Sequence, residues 1–209
     1  MSQNLKKFQK LIEAGMTGRD AIKTIVSAED DFVYITTNLR QYQDKIVDFI
    51  MYDLGDIISD KIKRSLGTIE FVESDTRSYH QDNVIGLLEF DTKTIYHEIG
   101  HCIEAKNKDI HRKCVSFLDK RTYARPTFKL RDYFVDDRYG REIAQPGGFI
   151  NVYAGKRVEY DAMTEILSVG LEQFNTNDNI LKFYEYDREY FELILDIIVG
   201  DINGKRKTT

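Results

Sequence analysis

Apolar residues recur at helical spacing through the first third of the chain. Leu5, Phe8, Leu11 and Ile12 form one stripe, which Gly15 ends. Thr17 stands where it can cap a second short helix carrying Ala21, Ile22 and Ile25. A longer helix is expected to run to about Leu66, with Ile46, Ile50, Leu54, Ile57, Ile58 and Ile62 on one side. Gly55 weakens the expectation that this helix is continuous. Residues 1–66 therefore read as an N-terminal helical region.

The period changes at Gly67. Residues 68–73 and 83–90 are rich in β-branched and aromatic side chains and read as strands, with Ser74-Asp75-Thr76 as turn chemistry between them. Asp91 or Thr92 is placed to cap a helix that runs to about Lys106. A further helix is expected over 110–121, an irregular stretch over 122–148 and a strand over 149–153. Helices over 161–175 and 187–199 complete the pattern. Strands followed by helices, without regular alternation, make the chain α+β. At 209 residues the 1–66 and 67–209 regions are expected to share one compact unit.

Composition narrows the partners. Hydrophobic residues at 42% and charged residues at 31% are the balance of a folded globular chain. The net charge of -5, with Lys and Arg dispersed among Asp and Glu, offers no basic field for a phosphate backbone, so no nucleic-acid partner is expected. The run Tyr184, Tyr186, Tyr190 and Phe191 lies on an acidic helical segment and reads as core or interface rather than a base-stacking platform. No stretch approaches the roughly 20 apolar residues of a membrane span. The first ten residues lack the apolar core of a secretory leader. Cys102 and Cys114 read as buried free thiols, and a cytoplasmic setting, or a particle assembled there, is expected.

The chemistry is concentrated in His97-Glu98-Ile99-Gly100-His101. With four histidines in the chain, this HExxH spacing has a chance expectation of roughly 0.005. On a helix, residues four apart share a face, so both imidazoles can reach one tetrahedral zinc ion. Glu98 lies about 100° round from His97, suited to act on a metal-bound water without being a ligand. Ile95, Tyr96, Ile99, Cys102 and Ile103 fall on the opposite, core-facing side. Gly100 weakens the helix between the two ligands by about 1 kcal/mol relative to Ala, which points to another backbone packed closely against it.

A catalytic zinc site needs a third protein ligand and one open position. Glu165 is the leading candidate, on a segment where Glu165, Ser168, Val169 and Glu172 share a face. Glu104 points the same way as the histidines and is the next candidate. Its more natural role is to accept an imidazole N–H or orient the ligand helix. His80 and His111 are constrained by no pattern. Asp132, Asp136 and Asp137 lack the ligand alternation of a calcium loop.

HExxH followed downstream by Glu165-Ile166-Leu167-Ser168 resembles the gluzincin class of zinc metallopeptidases. That resemblance implies a zincin-like fold, with an edge strand, here residues 83–90, beside the active-site helix. It implies His97, His101 and Glu165 as zinc ligands and Glu98 as catalytic base. The class often carries an Asp after the Ser to support a ligand histidine, and Val169 stands there in this chain. A narrower likeness runs through residues 94–104, Phe117-Leu118-Asp119-Lys120-Arg121-Thr122, Tyr153-Ala154-Gly155-Lys156, residues 164–172 and Asp187-Arg188-Glu189-Tyr190-Phe191. These resemble zincin-like domains associated with phage minor head proteins, which implies a phage setting, in host cytoplasm or virion, and phage head proteins as partners.

The expected activity is zinc-dependent hydrolysis of a protein or peptide substrate by a narrow-specificity endopeptidase. Tyr153, Tyr160, His80 and Arg157 are the candidates to stabilise the oxyanion. The alternatives are a structural or interaction protein of a virus particle that keeps the zinc site without turnover, and a zinc hydrolase acting on a non-peptide bond.

Overall fold

A four-stranded mixed sheet organises the molecule, and the helix bearing the HExxH motif lies against it. The computed structural model describes residues 1–26, 34–157 and 162–201. Two helices open the chain, α1 (Gln3–Glu13) and α2 (Gly18–Val26). Ser2 caps α1 by accepting from the Leu5 amide, and Gly15, at φ 88°, turns the chain after it.

The long helix expected up to Leu66 is instead a strand followed by three helical pieces. Strand β1 (Tyr34–Thr37) precedes α3 (Gln43–Asp48), a π-helical stretch (Phe49–Leu54) and α4 (Asp60–Leu66). The widened turn ends at Gly55, where an added Cβ would stand 2.4 Å from the Met51 carbonyl oxygen. The helical stripe was real, since Ile46, Ile50, Leu54, Ile57, Ile58 and Ile62 are all buried. Continuity of the helix did not follow from it. Residues 1–66 are thus not wholly helical, and they contribute a strand to the main sheet.

Strands β2 (Thr68–Glu73), β3 (Tyr79–Gln81) and β4 (Val84–Leu87) complete that sheet in the order β1-β2-β4-β3. β1 and β4 run parallel to β2, whereas β3 runs antiparallel to β4. The strand expected over 83–90 is therefore shorter and lies inside the sheet, while β3 forms the edge. The Asp82-Asn83 corner makes this possible, with Asp82 at φ 55°, a conformation that Asp and Asn tolerate in tight hairpins. Ile69, Phe71, Ile85 and Leu87 fill the buried face.

Helices α5 (Thr92–Lys106) and α6 (Lys108–Thr122) follow, each with a side-chain N-cap, from Asp91 and Asn107 respectively. The stretch expected to be irregular holds a two-stranded ribbon of β5 (Phe128–Lys129) and β6 (Ile143–Ala144) around the short helix α7 (Leu130–Phe134). No strand forms over 149–153. Asn151 instead caps a 3-10 turn (Val152–Gly155) by accepting from the Tyr153 amide.

Helix α8 (Ile166–Glu172) is shorter than the helix expected over 161–175. Its start is set by Thr164, whose amide donates to Glu104 and whose hydroxyl accepts from the Ile166 amide. Helices α9 (Asn177–Tyr186) and α10 (Arg188–Ile198) end the described fold. Tyr184, Tyr190 and Phe191 are buried, and Phe8 of α1 packs on Tyr184 and Phe191 at ring separations of 5.2 and 4.8 Å. One hydrophobic core runs from Leu5 to Ile198, across both sequence regions. The architecture is α+β with a small mixed sheet, and among the described residues no helix is long and apolar enough to cross a membrane.

Candidate metal centre

The site begins with the amphipathic division of α5. Asp91 accepts from the Thr94 amide at 2.8 Å and from its hydroxyl at 2.6 Å, fixing the helix start. Ile95, Tyr96, Ile99, Cys102 and Ile103 bury their side chains in the core. The opposite face carries His97 and His101.

Helix α8 crosses that helix at very short range. A Cβ added to Gly100 would stand 2.5 Å from Ser168 Cα and 2.8 Å from its amide nitrogen. Only hydrogen at Gly100 lets the two backbones approach so closely. That approach brings Glu165, at the N-cap position of α8, up to the two imidazoles. Glu165 precedes the helix instead of lying within it.

Three side-chain atoms then converge. His97 Nε2 and His101 Nε2 are 3.1 Å apart, and Glu165 Oε2 lies 3.4 Å from the first and 3.3 Å from the second. Four-coordinate zinc, with bonds of about 2.0–2.1 Å at tetrahedral angles, places neighbouring donors about 3.3 Å apart. The triangle matches that spacing on all three edges. Among the described residues, this is the group of His, Cys, Asp and Glu side chains with metal-ligand spacing.

The orientation of the donors fits the same group. His97 Nδ1 lies 2.6 Å from Glu172 Oε1. A carboxylate there accepts from the Nδ1–H and leaves the Nε2 lone pair aimed at the cluster. Lys93 reaches the other oxygen of Glu172 at 3.2 Å. Three acceptor atoms facing one another repel unless a proton or a cation lies among them. His101 Nδ1 is buried without a protein partner among the described residues.

Electrostatics sharpen the division of roles. Burial works against charge on His97, but the Glu172 hydrogen bond and the Glu165 carboxylate outweigh it and raise its pKa. Burial likewise opposes charge on Glu165, yet the His101 hydrogen bond, both imidazoles and Lys156 hold its carboxyl well below the usual range. Glu98 goes the other way, because burial pushes its pKa up more than the neighbouring imidazoles lower it. Glu98 and His97 line a cleft of about 670 Å³, together with Arg77, Lys93, Tyr139, Glu142, Tyr153 and Glu172 among others.

The remaining sequence candidates are placed as follows. Glu104 is fully buried and, among the described residues, hydrogen-bonds to neither His97 nor His101. It accepts from His111 Nδ1 at 2.9 Å, from the Thr164 amide at 2.8 Å and from the Thr164 hydroxyl at 3.0 Å. Its work is to anchor the chain just ahead of Glu165. His111 is occupied by that contact. His80 lies on β3 with Nε2 2.9 Å from the Asp82 carbonyl, outside the triangle. Arg157 is exposed and pairs with Asp119 at 3.5 Å. Tyr160 lies outside the described residues. Asp136 is engaged by Arg138 and joins no group with metal-ligand spacing among the described residues.

Two residues of the site escaped the sequence reading. Val169 is buried core, and the carboxylate that supports a histidine comes from Glu172, one turn further along α8. The signal was available, because Glu172 falls on the same helical face as Glu165 and Ser168. Lys156 is the second, donating to Glu165 Oε1 at 3.0 Å, and no periodicity marks it. No family model, curated protein or solved structure matches this chain.

Proposed function

We propose that this protein is a zinc-dependent hydrolase with a zincin-like site, acting on a protein or peptide as an endopeptidase. The observation that carries the reading is the triangle of His97, His101 and Glu165, with edges of 3.1, 3.3 and 3.4 Å. Glu98 stands beside it in an open cleft. A purely structural zinc site is closed by four protein ligands, whereas three ligands and a flanking carboxylate suit turnover. Zinc bound there supplies a Lewis acid that polarises a carbonyl and lowers the pKa of water.

Each remaining step falls to a named side chain. Glu98, its pKa raised by burial, takes a proton from the attacking water and passes it to the leaving amine. Glu172 holds the His97 ring in one tautomer and orientation. Tyr153 is the candidate best placed to donate to the tetrahedral oxyanion. It lines the cleft, and its ring centroid lies 6.4 Å from that of His97. Its oxygen accepts from Lys156 at 2.9 Å while its hydroxyl donates to Glu142 Oε2 at 3.4 Å, a long contact that an oxyanion in the cleft would replace.

The test is cleavage of a peptide library by zinc-loaded protein beside Glu98→Gln. Cleavage by the wild type and its loss in the variant, with zinc retained, is the expected result. Cleavage in neither protein would transfer the site to the non-catalytic alternative, a metal-holding structural or interaction protein.

A further inference from the structure

Lys156 lies just past the 3-10 turn, with a mostly buried ammonium directed at the third proposed ligand. Its Nζ is 3.0 Å from Glu165 Oε1, 2.9 Å from the Tyr153 hydroxyl and 3.2 Å from Glu142 Oε1. An ammonium has three N–H donors, and here each has an acceptor. Its position is therefore fixed from three sides. The two oxygens of Glu165 consequently have different surroundings. Oε1 is held by the Lys156 ammonium, whereas Oε2 faces both imidazoles and accepts from the Ser168 hydroxyl at 3.0 Å.

We propose that Lys156 confines Glu165 to ligation through one oxygen, which keeps the metal four-coordinate with its fourth position left to a water or substrate carbonyl. This rests on the metal-centre reading above and assigns Lys156 as a positioning residue acting through Glu165. A carboxylate near zinc can bind through one oxygen or both, and two-oxygen binding adds a donor beside the position of a water or substrate carbonyl, expanding a four-coordinate site to five. A charge-assisted hydrogen bond on Oε1, in a largely buried setting, turns that oxygen away from the metal. The same ammonium donates to the Tyr153 hydroxyl, so one cation holds both the proposed ligand and a hydroxyl that lines the cleft.

Cobalt(II) in place of zinc reports coordination directly. Four-coordinate cobalt absorbs strongly in the visible, and five-coordinate cobalt distinctly less. The tag-free full chain, with Lys156→Met and Lys156→Arg, would be loaded with cobalt and its visible spectrum recorded, with circular dichroism as the check on folding. The expected result is strong bands in the wild type, loss of intensity in Lys156→Met and retention in Lys156→Arg. Should the Met variant not fold, Lys156→Gln replaces it with the same expected loss. A wild-type spectrum in the uncharged variant would overturn the inference, as would loss in both variants, which marks general disruption. No cobalt binding by the wild type would overturn the metal reading itself, and this inference with it.

Discussion

Gly100 and Ser168 meet backbone to backbone, and that contact places the third proposed ligand beside the first two. A Cβ on Gly100 would lie 2.5 Å from Ser168 Cα, a backbone atom that cannot swing aside. Gly100→Ala gains about 1 kcal/mol of intrinsic helix propensity. Overpacking of this kind costs about 1–3 kcal/mol. Net destabilisation is therefore expected, with weaker metal binding as α8 is pushed away. Denaturant unfolding of the two proteins checks this, and wild-type stability in Gly100→Ala would contradict the packing account.

Glu172 makes a second prediction. Its Oε1 lies 2.6 Å from His97 Nδ1, so Glu172→Ala removes the acceptor that sets the tautomer of a proposed ligand. Loss of such a support weakens metal binding by about 10–100-fold. Competition against a zinc chelator measures this. Because Val169 is buried in the core on the same helix, Val169→Ala should lower stability while leaving zinc affinity close to wild type.

The cysteines give a prediction independent of the metal. Cys102 and Cys114 are both free and buried. Burial pushes the Cys102 thiol up to about 11 and the Cys114 thiol well above its ordinary value. Neither supplies thiolate near neutral pH, and neither is accessible. A disulfide reagent such as DTNB should react with neither in the native protein and with both after denaturation. Rapid reaction of one thiol under native conditions would show that α5 or α6 is less tightly packed than described.

The motif was legible because its chemistry and its helical period coincide. His97 and His101 fall on one face, their apolar neighbours on the other, and Gly100 advertised a close contact by being a poor helix former in mid-helix. What the sequence could not show depended on partners distant along the chain. Thr164 does not join the expected helix because Glu104, sixty residues away, takes its amide. β3 is three residues long, too short to carry an alternation that marks it as a strand. Lys156 matters through its distance to Glu165 Oε1, which no local pattern encodes.

The central claim is that His97, His101 and Glu165 hold a zinc ion, and metal stoichiometry tests it most directly. Tag-free protein would be loaded with zinc, freed of excess and analysed by inductively coupled plasma mass spectrometry, beside a His97→Ala, His101→Ala double variant. Convergence of three donors at tetrahedral spacing predicts one zinc per chain, lost in the double variant. Zinc well below one per chain after loading, or equal zinc in the double variant, would contradict the account.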